Sequence, residues 1–447
     1  MAAQLFCHEA AEMGIHLVNH TARRSKQTTW RMAVLPALMA VTALVFGTLA
    51  AAPAAGVPDG GRVDAARMAK INAALPTPLH DGFYRTPANI GKYKQGEIIS
   101  TRTRPNPPAF LGVKTYQIKF RSNDSENKPI AAITTILVPF NKKANGPLLS
   151  FQHIVNAVGL ECAPSRVLWT QDPNLTIREA PALNVVLQQG WTVSIPDHLG
   201  PRSSYGAAKL GGQISLDAIT ATQNFKPAGV KYSKVGLAGY SGGGMATAWA
   251  AALAPKYSPK LNIVGAAYGG VPMDLIKMAE GLGYNRPHPA FGLAFAAAIG
   301  LAREYSDKVT LFDYLSPKGK RMFSEMRNAC TNDVLRIGAG HSARQVAKSG
   351  IQLFENPTFR KIGAENSLAM YSGVPKAPVF EWHSPTDVLI PLDAITSTTR
   401  RYCKAGTKVT TMLTPSPEHM SAAVIGVVPA MEFLSARFRG EPASSTC

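Results

Sequence analysis

Val235-Gly236-Leu237-Ala238-Gly239-Tyr240-Ser241-Gly242-Gly243-Gly244-Met245-Ala246 is the stretch whose reading decides the fold. Its opening residues continue the apolar run of a short buried strand, and residues 243–254, rich in Ala with Met and Leu, read as a helix. Between them lies Gly-x-Ser-x-Gly, from Gly239 to Gly243. A serine held on a sharp strand-to-helix turn needs small residues on either side, because strand and helix pass close together there. Gly239 and Gly243 meet that need. Ser241 then stands at a helix start, where the N–H of Gly242 can donate to the oxyanion of a tetrahedral intermediate. An isolated Gly-rich turn would carry no such meaning; the strand before and the helix after supply it.

Working outward, short apolar runs alternate with helical stretches on both sides of this turn. Strands are expected over 146–151, 191–196, 234–238 and 263–267, with helices over 180–190 and 215–224. Further upstream, Thr115-Tyr116-Gln117-Ile118-Lys119-Phe120 and Ala131-Ala132-Ile133-Thr134-Thr135-Ile136-Leu137-Val138 flank a polar loop as in an antiparallel hairpin. Residues 274–367 break the alternation into apolar helical segments without a clear strand. The strand pattern resumes at 378–382 and near 408–413, followed by a closing helix over 421–437. This grammar predicts an α/β fold: a mostly parallel, doubly wound sheet of the α/β-hydrolase type. Its core spans 56–273 and 368–447, and an inserted helical cap spans 274–367.

In such a fold the partners of the serine follow it in the order acid, then histidine. Asp387 lies in Trp382-His383-Ser384-Pro385-Thr386-Asp387, just past the end of a predicted strand, where the ligand-facing loops of open α/β sheets gather. Asp393 is the weaker candidate, further along and in a predicted helix. His419 is the histidine that follows Asp387, in the loop Pro415-Ser416-Pro417-Glu418-His419. Its expected work is to take the Ser241 proton and pass it to a leaving group, with Asp387 fixing its tautomer. His153, His198 and His383 lie near predicted strand ends and are assigned no catalytic role. No group of His, Cys, Asp or Glu has metal-ligand spacing, and no phosphate-binding Gly motif sits in a strand-to-helix context, so neither metal nor cofactor is expected.

Composition sets the remaining limits. The 46% apolar and 17% charged content of 447 residues describes a globular chain with ample core, neither disordered nor multi-spanning. The net charge of +19 would draw the surface toward anionic partners. Yet no run of five Lys/Arg and no nucleic-acid module occurs, so nucleic acid is not an expected partner, nor is an obligate protein partner inferred. Near the N-terminus Arg23, Arg24, Lys26 and Arg31 precede an apolar run over 32–52 that ends among small residues, the layout of an export signal within a leader of residues 1–55. The run is long enough to serve instead as an uncleaved membrane anchor. Of five cysteines, Cys7 falls in the leader, leaving Cys162, Cys330, Cys403 and Cys447, an even number suited to two disulfides outside the cell.

Several segments, in one order, resemble the secretory lipase family. They are Phe83-Tyr84-Arg85-Thr86-Pro87, Ser150-Phe151-Gln152, Cys162-Ala163-Pro164-Ser165, Pro196-Asp197-His198-Leu199-Gly200, Gly239-Tyr240-Ser241-Gly242-Gly243, Leu261-Asn262-Ile263-Val264-Gly265, Trp382-His383 with Asp387, and Glu418-His419. The resemblance implies the same triad, a helical lid over an acyl-binding tunnel, and the pairings Cys162 with Cys330 and Cys403 with Cys447. It also implies a second oxyanion donor in the loop after Ser150-Phe151-Gln152, at the position of Asn156, where the family's lipase carries Asp. A C-terminal flap of that lipase has no counterpart before Cys447.

The expected function is therefore that of a secreted serine hydrolase of carboxylic esters, with a triacylglycerol lipase as the leading form and a lipid or ester as its substrate. Phe291, Leu293, Phe295 and Leu301 in the predicted cap are candidates to line an acyl site, although such a stripe is also what a plain core needs. A carboxylesterase or acyltransferase acting on a cell-envelope or small-molecule ester is the alternative within the same chemistry. A non-catalytic envelope-binding protein is the alternative outside it, and would require a lost triad member. The even cysteine count generates one test: thiol titration of the secreted chain under denaturing, non-reducing conditions should find no free thiol, and two or more per chain would reject the two-disulfide reading.

Overall fold

The computed structural model describes residues 64–348 and 355–447. The leader and the start of the predicted linker lie outside the described residues. Among the described residues nine strands form one sheet: β1 (Ile98–Arg104), β2 (Val113–Asn123), β3 (Pro129–Pro139), β4 (Leu148–Gln152), β5 (Thr192–Pro196), β6 (Val235–Tyr240), β7 (Ile263–Gly269), β8 (Val379–His383) and β9 (Val409–Leu413). Their order across the sheet is β1-β2-β3-β5-β4-β6-β7-β8-β9. The first three are antiparallel, and β5 through β9 run parallel to one another.

The hairpin β2–β3 turns at Asp124, whose carboxylate accepts the N–H groups of Glu126 and Lys128 at 2.9 and 2.8 Å, while Asn127 takes the left-handed conformation with φ 65°. Such a side-chain-closed turn fixes the register of eleven residue pairs. The parallel strands β4, β5 and β6 are buried along their whole length, which is why they read as unbroken apolar runs.

The helices are α1 (Ala65–Ala74), α2 (Pro164–Val167), α3 (Ala180–Gln188), α4 (Ala208–Asn224), α5 (Ser241–Tyr257), α6 (Leu275–Gly281), α7 (Phe291–Glu304), α8 (Pro317–Met326), α9 (Thr331–Gly338), α10 (Ala343–Val346), α11 (Pro357–Glu365), α12 (Leu392–Lys404) and α13 (His419–Arg439). Helices α4 and α5 share one apolar core with α7, whereas α3 and α13 bury Leu183, Val186, Ala430 and Leu434 in a second cluster with Leu149 and Ala267. The sheet is thus covered on both faces, as a doubly wound architecture requires. Between β7 and β8 the described residues contribute helices, with bridges of single residue pairs at His288–His341 and Leu315–Ala347.

Several boundaries differ from the sequence expectation. Helix α4 begins at Ala208 rather than 215, its first half hidden by the glycines at 211 and 212, and α5 begins at Ser241 itself. Helix α13 begins at His419, not at 421, because the Glu418 carboxylate accepts the N–H groups of Met420 and Ser421.

Arg303, on α7, is buried and has no acidic partner among its hydrogen bonds. Its guanidinium donates to the carbonyls of Ala74, Val158 and Arg327 at 2.7, 2.6 and 2.7 Å, and to Arg202 and Ser203 at 3.2 Å. Burial and the nearby Arg327 pull its pKa down to about 9, so it remains a cation at neutral pH. One side chain therefore neutralises carbonyls from α1, the segment after β4, the segment after β5 and the end of α8. Arg303→Met keeps much of the volume but leaves five carbonyls unpaired, and should lower unfolding free energy by about 3 kcal/mol or more in urea titrations. A loss below about 1 kcal/mol would show that these carbonyls find other donors.

Candidate active site

Ser241 has φ 53°, the left-handed region a serine enters at a cost of about 1–3 kcal/mol. The surroundings enforce it. A Cβ on Gly243 would stand 2.0 Å from the Gln152 carbonyl oxygen, and one on Gly239 would stand 2.4 Å from Thr247 Oγ1. Strand β6 and helix α5 therefore meet at a distance that glycine alone permits, which turns the Ser241 side chain out from the C-terminal edge of the sheet.

His419 Nε2 lies 2.9 Å from Ser241 Oγ, and its Nδ1 lies 2.6 Å from Asp387 Oδ2. All three residues are buried. The other carboxylate oxygen of Asp387 accepts the N–H groups of Leu389 and Ile390 at 2.9 and 3.2 Å. Burial alone would push the Asp387 pKa up, but His419 and these two N–H groups more than offset it and hold it below the usual carboxylate range. Asp387 is thus an anion across neutral pH, in the state that orients an imidazole N–H. Asp393 instead pairs with Lys277 on the surface. His419, placed in a loop by sequence pattern, is the first residue of α13.

Two residues that the sequence reading passed over hold His419 in place. The hydroxyl of Tyr240 donates to the His419 carbonyl at 2.6 Å, and its ring lies 5.1 Å from the imidazole, centroid to centroid. Gly270, with φ +54°, leaves room for both: a Cβ there would stand 2.6 Å from the Tyr240 ring and 2.8 Å from His419 Cε1. Tyr240 sits inside the quoted motif, and Gly270 follows a strand end as half of a Gly-Gly pair; these were the signals available.

The residues expected to bind an oxyanion also meet. A Cβ on Gly242 would stand 2.3 Å from Asn156 Oδ1, so the Asn156 carboxamide lies directly against the start of α5. Asn156 Oδ1 is buried without a hydrogen-bond partner, and the Asn156 N–H donates to Thr331 Oγ1 at 3.3 Å. Disulfides join Cys162 to Cys330 and Cys403 to Cys447, with Cα separations of 5.4 and 5.5 Å. The first fastens the chain after Asn156 to the residue before Thr331.

The remaining histidines have other surroundings. His383 faces the fully buried Glu381 at 2.9 Å, which holds its pKa up against the opposing effect of burial. His153 meets Glu179 with the same outcome. His198 has neither ring nitrogen partnered, and burial together with His153 pulls its pKa down to about 3, leaving it neutral. Among the described residues no cluster of His, Cys, Asp and Glu is grouped as metal ligands.

One turn along α5 from Ser241, Met245 borders a pocket that encloses about 600 Å³ including space open to solvent, with Pro272 after β7 and walls from α6, α7 and α11; the triad residues are not part of its lining. Leu293 and Leu301 line it, together with Ala297. Phe291 and Phe295, predicted with them, line a second, neighbouring pocket of α7 that shares Ala294 and Ala298 with the first. Positions 291 and 295 share one helix face and 293, 297 and 301 another, so a helical stripe did not reveal which face meets the site.

A serine on a strained turn after a central strand, bonded to a histidine and an aspartate from the ends of later strands, defines an α/β-hydrolase. The chain belongs to the secretory lipase family, whose model matches residues 174–446. It is 31% identical over 394 residues to the secreted triacylglycerol lipase LIP7 of Malassezia globosa, covering 83% of this chain and 81% of that one. Lipase 4 of Candida albicans is 32% identical over 393 residues, with 83% and 84% covered. The solved structure of Candida antarctica lipase A superposes with a TM-score of 0.78 at 30% identity, covering 84% of this chain and 89% of that chain.

The elbow geometry generates its own test. Gly243→Ala should displace β4 from α5, cost several kcal/mol of stability on the order of a severe core clash, and show as a lowered thermal midpoint. A folded variant of unchanged midpoint would mean that Gln152 moves aside freely.

Proposed function

We propose that the chain is a secreted triacylglycerol lipase in which Ser241 is the nucleophile, His419 the general base and Asp387 its orienting carboxylate. The observation that carries this reading is the unbroken hydrogen-bonded chain from Ser241 through His419 to Asp387, with an apolar pocket bordered by Met245, one turn along α5 from Ser241. Ser241 Oγ attacks the ester carbonyl as His419 Nε2 takes its proton. The tetrahedral oxyanion accepts from the Gly242 N–H and from the carboxamide NH₂ of Asn156, and the glycerol oxygen leaves with the proton from His419. Water, activated by the same histidine, then releases the fatty acid from the acyl-enzyme.

The acyl chain occupies the cavity against Leu293, Ala297 and Leu301, and residues 274–367 act as its lid over a core of 56–273 and 368–447. The largely apolar lining of the cavity suits an alkyl chain, whose transfer from water is favourable by about 0.8 kcal/mol per buried CH₂. Residues 1–55 are removed on export. Relatives named secreted triacylglycerol lipase support both the substrate and the destination.

Ser241→Ala should lose fluorophosphonate labelling and ester hydrolysis together. Asp387→Asn should fold and yet lose about three to four orders of magnitude in kcat, because it favours the wrong imidazole tautomer. Asp393→Asn should stay near wild type, and the reverse pattern would move the acid. Across esters from acetate to triolein, activity confined to acetate would reject the lipase assignment in favour of a carboxylesterase.

A further inference from the structure

The segment after β4 carries Asn156 to the nucleophile without any helix or strand of its own, so something else must fix its path. Beyond Asn156 the hold comes from around the cap: the Asn156 N–H donates to Thr331, the Val158 N–H to the Ala329 carbonyl at 3.0 Å, and Arg303 to the Val158 carbonyl. Before Asn156 the hold comes from Glu179. This residue closes a π-helical turn, Asn174–Glu179, at the entrance to α3, and its side chain is buried. One carboxylate oxygen meets His153 Nδ1, and the other accepts the Ile154 N–H at 2.8 Å.

A buried carboxylate is costly unless every lone pair finds a donor, and here both oxygens are spent on two consecutive residues of one loop. His153, with Gln152 before it, also packs against the nucleophile's helix. The carbonyls of Gln152 and His153 lie 2.0 and 2.8 Å from where a Gly243 Cβ would stand. Any drift at 153–154 therefore moves the loop relative to both Gly242 and Asn156.

We infer that Glu179 is a positioning residue for the oxyanion hole: by gripping His153 and Ile154 it sets where Asn156 stands relative to Ser241. It touches no substrate, and its effect falls on the transition state, where donor geometry matters most and a shift of about 1 Å can cost roughly 100-fold. The inference rests on the proposed roles of Ser241 and Asn156.

The test compares Glu179→Ala, which removes both grips, with Glu179→Asp, which keeps the charge but is one methylene too short to make both. Measured are the thermal midpoint, kcat and KM on a soluble ester, and the inhibition constant of a trifluoromethyl ketone, whose bound form carries the oxyanion. Expected are folded variants with kcat at least tenfold lower for Ala and several-fold lower for Asp, KM within about threefold, and ketone affinity falling in step with kcat. If the Ala variant does not fold, the Asp variant decides. Unchanged kcat and ketone affinity in a folded variant, or a rise in KM alone, would overturn the inference. Ser241→Ala run beside them separates the two failures: residual hydrolysis there would sink the nucleophile assignment, whereas a dead Ser241→Ala with a fully active Glu179→Ala would sink the positioning role alone.

Discussion

The contact between the Gln152 carbonyl and the backbone of Gly243 governs this molecule. It brings the end of one central strand against the first turn of the helix that follows another, closer than any side chain allows. Ser241 is left no ordinary backbone conformation, and its cost is met by the two cores that close on either side of the sheet. The rest of the site is arranged around this turn. The loop leaving β4 has to bend past the helix start, which sets Asn156 beside Gly242. The strand on the other side ends in Gly270, which admits the Tyr240 ring and the His419 imidazole to the same small volume.

The +19 of the chain as a whole says little about the site, where carboxylates and imidazoles meet one to one: Asp387, Glu179 and Glu381 each face an imidazole. Three pairs of the same chemistry thus have different work. Asp387 serves a histidine that reaches Ser241, Glu179 serves a loop, and Glu381 with His383 fills the end of β8. What distinguishes them is the neighbour of the second ring nitrogen and of the second carboxylate oxygen, not the pair itself.

That distinction explains what could be read in the sequence and what could not. The strand-turn-helix around Ser241 is a local pattern, and although Gly239 alone is demanded by a neighbour within it (Thr247) while Gly243 answers to Gln152 on a distant strand, the motif and its flanking elements made the fold class legible there. Asp387 and His419 were found through chain order, and their meeting depends on the loops after β8 and β9 lying next to each other in a parallel sheet. Glu179 gave no such signal. Its partners are 25 and 26 residues away across a π-helical turn that no periodicity announces. Arg303 looked like an ordinary basic residue at the end of a helix, since a set of carbonyl acceptors leaves no trace in side-chain identity. The split of Phe291 and Phe295 from Leu293 and Leu301 was illegible for a simpler reason: α7 is apolar on nearly all sides, and only packing decides which side meets the cavity.

The disulfide between Cys162 and Cys330 joins the residues just past Asn156 to those just before Thr331, and Arg303 fastens the same neighbourhood. The helices between β7 and β8 are thereby tied covalently to the segment after β4, so in a reducing medium that tie would rest on the hydrogen bonds of Thr331, Ala329 and Arg303 alone.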